Sequence, residues 1–136
     1  MRPIALPMAV VALLVAASTS AGAAPKSTLL GRYTCALSQG EFKYPAQPCS
    51  ITVKQAKDGS GRTLWFAKSG GSQRLSGWVA PKEDGFEVDG QLHCPKGACD
   101  QPIQIRFVAV PGGFDGAFDS NPGGEVKVVM RARSSK

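Results

Sequence analysis

The residues best equipped for chemistry in this sequence are a histidine and two cysteines that lie close together. His93 is the sole histidine, it directly precedes Cys94, and Cys99 follows five residues later. Two thiolates beside an imidazole can bind copper or zinc, so these residues are one candidate metal site. The alternative is a disulfide between the two cysteines. We favour the disulfide, because one cysteine pair with one adjacent histidine is a weak metal signal and export favours oxidation.

Catalytic groups do not form a recognisable constellation in the sequence. A serine or cysteine nucleophile needs a base within reach and a third group to orient that base, and no G-x-S-x-G motif is present. Asp115 and Asp119 share one face of a predicted strand, about 13–14 Å apart, which exceeds the roughly 5–9.5 Å of glycosidase carboxylate pairs. Glu87 and Asp89 are interpreted as solvated face residues. We therefore expect a protein without enzymatic activity or cofactor.

Two tryptophans are candidates for a binding surface. Trp65 and Trp78 lie on adjacent predicted strands, on the face opposite Leu64 and Val79. If that face is outside, two exposed indoles would form a recognition patch for a sugar or a partner protein. The other interpretation reverses the two faces and places the indoles in the core. We favour the second interpretation, because tryptophan is usually well buried.

A second candidate surface is basic. Four basic residues fall on outward positions of the late strands: Arg106, Lys127, Arg131 and Arg133. They are interpreted either as a positive patch or, in our preferred view, as solvated charges that partly pair with Asp115 and Asp119 across the sheet. The formal net charge of +6 is spread along the chain without a run of like charges. We therefore expect no nucleic-acid partner.

The first residues are typical of a secretion signal. Arg2 supplies a positive start, Ala9–Ala17 is an apolar run, and Ser18–Ala24 is a run of small residues that suits cleavage after Ala23 or Ala24. A transmembrane anchor needs about 20 apolar residues, and the early prolines and the Ser-Thr-Ser run leave too few. The sequence therefore predicts bacterial export to the periplasm or the medium, with no transmembrane anchor.

Four cysteines in an exported chain predict disulfides. Three connectivities are possible, and we favour the pairs Cys35–Cys49 and Cys94–Cys99, because each pair brackets a turn-rich segment. By the loop-entropy argument the first pair would stabilise the fold by about 3 kcal/mol and the second by roughly 2 kcal/mol.

The rest of the chain alternates apolar and polar residues in short segments that end at glycine- or proline-rich turns. In the segment that begins at Gly85, for example, Phe86, Val88 and Leu92 fall on one face and polar residues on the other. About eight such segments predict an all-β fold, an antiparallel meander closed into a small barrel. Closure would remove exposed strand edges. A two-sheet sandwich is the second choice.

The sequence predicts four parts in chain order. Residues 1–24 are a cleaved signal peptide, 25–28 a flexible tail, 29–133 a single barrel domain and 134–136 a frayed end.

The leader, the Tyr33-Thr34-Cys35 triplet at the first predicted strand and a meander of this length resemble the small periplasmic inhibitors of c-type lysozyme. The resemblance covers this general plan and these three residues. It implies a small β-barrel that binds lysozyme. The chain departs from that family in having no lipoprotein cysteine at the cleavage point and no clear counterpart of the inhibitory loop. A basic chain would also repel a basic lysozyme.

Taken together, these features predict a monomeric, non-catalytic exported protein that binds a protein or an envelope polymer through its loops and a sheet face. A small-ligand carrier is the alternative, and it would need a cavity of about 300 Å³ or more. The residues predicted to point inward are bulky enough to fill the barrel: Leu64, Phe66, Leu75, Val79, Phe86, Val88, Ile103, Ile105 and Phe107.

Overall fold

The computed structural model describes residues 26–97, 99–120 and 123–133. The predicted signal peptide, 1–24, and the predicted frayed end, 134–136, lie outside these ranges. The helix and the strands have these bounds: α1 (Lys26–Leu29), β1 (Gly31–Gln39), β2 (Phe42–Lys43), β3 (Gln47–Val53), β4 (Leu64–Lys68), β5 (Arg74–Lys82), β6 (Gly85–His93), β7 (Gln101–Val110), β8 (Gly113–Ser120) and β9 (Gly124–Ala132). No helix within the described ranges is long and apolar enough to cross a membrane.

The strands form a single antiparallel sheet that closes on itself. From β3 to β9 each strand pairs with the next, β1 pairs with β3, and β9 returns to pair with β1. In the closing pair, Cys35 lies opposite Met130 and Leu37 opposite Val128. The two-residue strand β2 is extra and pairs with the end of β1. The structure thus confirms the predicted meander and its closure into an eight-stranded barrel, and the sandwich is wrong.

Alternation along most of the strands decides which side chains are inside. In β1, Tyr33, Cys35 and Leu37 are buried, and the residues between them are partly exposed. Full burial of a large apolar side chain stabilises a fold by about 1.5–3 kcal/mol relative to exposure. The residues that the sequence predicts to point inward are all buried: Leu64, Phe66, Leu75, Val79, Phe86, Val88, Ile103, Ile105 and Phe107.

Aromatic rings fill the middle of the barrel. Phe86 stacks on Phe107 with ring centroids 4.6 Å apart, and the Phe66 ring lies 5.7 Å from Phe107. Gly116 faces the same ring from β8, where an added Cβ would come within 2.6 Å of it. Glycine is needed here because any larger residue would displace the Phe107 ring. The middle of the barrel is therefore packed with side chains.

The end of the barrel at which β1 begins is closed by apolar side chains, and we call it the closed end (Leu29, Tyr33 and Phe114). The rings of Tyr33 and Phe114 meet edge to face at 6.3 Å. The Tyr33 hydroxyl donates a hydrogen bond of 2.7 Å to the carbonyl oxygen of Leu29. Residues 26–28 of the predicted flexible tail, 25–28, lie in α1, residue 25 lies outside the described residues, and the flexibility of this segment stays a prediction. The helix is held because Leu29 is fully buried and Tyr33 binds its carbonyl.

Both predicted disulfides are present. Cys35–Cys49 joins β1 to β3 and lies inside the barrel, since both side chains are buried. Cys94–Cys99 closes the loop between β6 and β7. The nearest-neighbour pairing is therefore confirmed.

Candidate functional site

Trp65 and Trp78 lie on the outside of the barrel. Trp65 stands between the inward residues Leu64 and Phe66 of β4, and Trp78 faces it from β5. The two rings meet edge to face, with centroids 4.9 Å apart and an interplanar angle of 75°. Both residues are only partly exposed, because each ring covers the other. The interpretation that the indoles fill the core is wrong, and the alternative that puts them on the outer face is confirmed.

Cross-strand pairing extends the indole pair into a row over four strands. Thr52 lies opposite Trp65, and Asp89 lies opposite Trp78. We call these four residues the tryptophan row (Thr52, Trp65, Trp78 and Asp89). Its side chains carry a hydroxyl, two indole N–H groups and a carboxylate beside the aromatic faces. The row therefore combines apolar surface with hydrogen-bonding groups of both kinds.

Two cations flank the tryptophan row. The Lys54 Nζ lies 3.9 Å from the centroid of Trp65 and 5.8 Å from that of Trp78. The Arg62 guanidinium forms a 3.2 Å ion pair with Asp89. A cation over an exposed indole contributes about 0.5–1 kcal/mol. Lys54 therefore stabilises the arrangement of the two indoles and leaves both of them partly exposed.

The loop between β3 and β4 positions these two cations. The backbone N–H of Lys54 donates to the carbonyl of Thr63 at 3.0 Å. At the tip, Asp58 accepts a 2.9 Å hydrogen bond from the backbone of Ser60. Hydrogen bonds from the side chain and backbone of Ser60 lower the pKa of Asp58. A charged Asp58 therefore supports the turn that returns the chain to Arg62.

Two of the predicted basic residues are paired with carboxylates. Arg106 lies 3.0 Å from Asp84 and 3.1 Å from Glu87, so Glu87 is paired rather than simply solvated. Arg131 lies 2.9 Å from Asp115, in agreement with the cross-sheet pairing that the sequence favours. These ion pairs neutralise much of the charge on this face.

The other two predicted basic residues lie apart from each other. Lys127 is exposed on β9, where it faces Ala117 of β8. Arg133 follows β9, and its backbone N–H donates to the carbonyl of Arg32 beside the closed end. Arg106 and Lys127 lie on either side of Ala117, but the four residues do not form an unbroken positive surface, because Arg106 and Arg131 are paired with carboxylates. Instead, the outer face of β7 to β9 carries a mixture of charges and the exposed side chains of Val108 and Val129.

The end of the barrel opposite the closed end is polar, and the sequence analysis missed it. We call this end the polar mouth (Gln39, Gln47, Lys68 and Gln73). Lys68 is only 3% exposed and is the one charged side chain among the buried residues of the described ranges. The alternation of β4 could have predicted that Lys68 is buried, because it follows Leu64 and Phe66 at the next inward position of the strand.

The loop between β4 and β5 folds over Lys68. The Lys68 ammonium donates to the carbonyl of Gly70 at 2.7 Å and to that of Gln73 at 2.5 Å. Burial lowers the pKa of Lys68. An added Cβ at Gly70 would lie 2.3 Å from the side-chain oxygen of Gln47, so a larger residue here would displace the end of that side chain.

A cavity of about 170 Å³ adjoins the Lys68 ammonium at the polar mouth. Its walls include Leu37, Tyr44 and Pro45 on one side and the β4–β5 loop on the other. Within the described residues, two buried side-chain atoms lack a hydrogen-bond partner, the amide nitrogen of Gln39 and the amide oxygen of Gln73. The polar groups of the mouth are therefore incompletely satisfied.

The proposed metal alternative at His93, Cys94 and Cys99 is not supported. The two cysteines are joined to each other, so neither offers a thiolate. The His93 Nδ1 lies 3.8 Å from the Asp100 carboxylate, which also accepts a 2.9 Å hydrogen bond from the backbone of Cys94. No group of three or more potential metal-binding side chains occurs in the part of the chain that the structure describes.

Comparison of the chain with protein-family models, with curated proteins and with solved structures finds no match. The resemblance to lysozyme inhibitors thus stays an expectation from the general plan of the sequence.

Proposed function

We propose that this chain is an exported, non-catalytic binding protein whose tryptophan row holds a glycan polymer of the cell envelope. The observation that carries the proposal is the outward, edge-to-face pair of Trp65 and Trp78. Tryptophan is enriched at binding surfaces because it offers a large rigid face at a small entropic cost. A sugar ring can place its apolar C–H face on an indole while its hydroxyls reach the polar neighbours.

The neighbours of the indoles support a sugar ligand. The Asp89 carboxylate accepts hydrogen bonds, Arg62 donates them, and the Thr52 hydroxyl does both. The row crosses four strands, which at about 4.8 Å per strand gives a length of roughly 14 Å. An extended polymer with repeated rings and hydroxyls fits such a row better than a compact small molecule.

Two further features support export and surface binding. The pair of disulfides favours an oxidising compartment, in agreement with the leader pattern that predicts the periplasm or the medium. The packed middle of the barrel favours surface binding over the carrier alternative, because a carrier needs an interior cavity of about 300 Å³ or more.

The test is co-sedimentation of the processed protein with insoluble envelope glycan freed of protein. Wild type is compared with Trp78→Ala and with Phe42→Ala. Phe42 is 75% exposed on β2, so it is a matched aromatic control away from the row. We expect Trp78→Ala to weaken sedimentation by about tenfold or more, which corresponds to the loss of one hot-spot side chain. Phe42→Ala should sediment like wild type.

Equal sedimentation of wild type and Trp78→Ala would overturn the proposal, provided that far-ultraviolet circular dichroism shows both to be folded. Trp78-dependent capture of a protein from the envelope, with no sedimentation on purified glycan, would also overturn it in favour of a protein partner.

A further inference from the structure

The polar mouth contains an ammonium group that folding removes from water without supplying an opposite charge. Lys68 donates to two carbonyl oxygens, and no ion pair joins it to a carboxylate anywhere in the described ranges. Burial of a charge is costly unless the charge is paired and fully hydrogen-bonded. Carbonyl dipoles offset part of this cost. The site around Lys68 is therefore electrostatically incomplete.

The cavity beside Lys68 has the shape and lining of a small ligand site. Its volume of about 170 Å³ equals that of about five or six water molecules at roughly 30 Å³ each. Leu37, Tyr44 and Pro45 provide apolar wall, whereas Lys68 and Gln47 provide polar groups. Gln73 also belongs to the lining. A fitting ligand is small, partly apolar and polar at one end.

We propose that the polar mouth binds a short-chain carboxylate. Its carboxylate accepts a charge-assisted hydrogen bond from Lys68, a stronger interaction than a neutral hydrogen bond. Its alkyl chain lies against Leu37 and Tyr44, where burial of each CH₂ group contributes about 0.8 kcal/mol in general. A neutral amide of the same size lacks the charge that completes the site. This site is separate from the tryptophan row.

The test is a titration of the ¹⁵N-labelled processed protein followed by nuclear magnetic resonance. The probes are sodium butyrate, neutral butyramide and sodium chloride at matched ionic strength. We expect butyrate to cause saturable shifts of the backbone N–H signals of Gly71, Ser72 and Gln73. Butyramide and sodium chloride should leave these signals in place.

Three variants make the test specific. Lys68→Met removes the charge, and Ser72→Phe fills the cavity from the loop while it keeps Lys68. Both variants should weaken butyrate binding by about tenfold or more. Lys54→Met, which removes a cation from the outer face, should bind butyrate like wild type, and so should Trp78→Ala.

Saturable shifts with butyramide equal to those with butyrate would overturn the proposal, as would butyrate shifts that are linear and spread over the surface. Undiminished butyrate binding by Ser72→Phe would also overturn it. Because Ser72→Phe leaves the Lys68 hydrogen bonds in place, this outcome does not depend on whether Lys68→Met folds.

Discussion

At the closed end of the barrel, the Phe114 ring lies edge to face against Tyr33 and against Phe86 from the middle of the barrel, and the Tyr33 hydroxyl donates a hydrogen bond to the last residue of α1. At the polar mouth, Lys68 is covered by a loop, beside a cavity and two unpartnered amide atoms. The strands alternate in the same way toward both ends of the barrel. At the closed end the inward side chains are aromatic rings, whereas at the polar mouth the side chains are amides and the Lys68 ammonium. The closed end thus contributes stability, whereas the polar mouth contains polar groups without partners beside a cavity.

The largest expected effect concerns the rings in the middle of the barrel. Phe107→Ala should lower the free energy of unfolding by about 3–5 kcal/mol, because it removes buried contacts with Phe66 and Phe86 and leaves a cavity. Phe42→Ala, at an exposed position, should change it by less than about 0.5 kcal/mol. Urea denaturation measures both. A loss below about 1 kcal/mol for Phe107→Ala would contradict a packed interior.

The next effect distinguishes the two disulfides. Replacing Cys35 and Cys49 together by alanine should cost about 3 kcal/mol from loop entropy, and somewhat more because both side chains are buried. Replacing Cys94 and Cys99 should cost roughly 2 kcal/mol, because the loop is shorter and lies at the mouth. Urea denaturation of the two double variants gives the order. A larger loss of stability for the Cys94/Cys99 variant than for the Cys35/Cys49 variant would show that the disulfide at the mouth stabilises the fold more than the one inside the barrel.

Alternation was sufficient to predict the strands because most of them bury one face, as β1 and β4 do. Phe86, Val88 and Leu92 are inside as predicted, and the cysteine pairs follow from the turns that they bracket. Composition was a poorer guide to single residues. We favoured burial of Trp65 and Trp78 from the average behaviour of tryptophan, but the period of the strand placed them outside, where they cover each other.

The candidate sites depended on contacts that alternation does not specify. Arg106 is neutralised partly by Asp84, which lies in the turn between β5 and β6. This ion pair could be predicted only if the path of that turn in the folded protein were known. Lys68 followed the inward pattern of β4, but the sequence does not show that the next loop folds back to accept its hydrogen bonds. The site at the polar mouth therefore became visible only with the structure.

A smaller effect, with a characteristic pH dependence, is expected at Lys68. Its pKa is lowered by burial, so between that lowered pKa and the ordinary value the unfolded chain binds the proton more tightly than the folded protein. Lys68 therefore makes the folded protein more stable as the pH rises through this window. Lys68→Met removes this rise and at neutral pH should stabilise the protein by up to about 1 kcal/mol.

Urea denaturation of Lys68→Met from about pH 7 to about pH 10.5, with Lys54→Met as the control, measures this difference. Marked destabilisation of Lys68→Met at neutral pH would contradict the expectation, because it would mean that the two carbonyl hydrogen bonds outweigh the cost of the buried charge.

Tyr33 at the closed end should show a pH dependence of the opposite sign. Burial raises its pKa above the ordinary value of 10.0, so above that value the unfolded chain loses the proton first. The stability that Tyr33 contributes is complete below this window and is lost as the pH rises through it. Tyr33→Phe should cost about 1 kcal/mol at neutral pH, because the carbonyl of Leu29 loses its hydrogen bond.

Denaturation of Tyr33→Phe between about pH 8 and pH 11 should show a weaker alkaline loss of stability than wild type, with Tyr44→Phe at the mouth as the control. Because Lys68 and Tyr33 act in opposite directions, the double variant Tyr33→Phe/Lys68→Met should be the least pH-dependent of the set. If Tyr33→Phe lost stability at alkaline pH as steeply as wild type, that loss would come from another group. The expected opposite pH dependence of the closed end and the polar mouth would then be wrong.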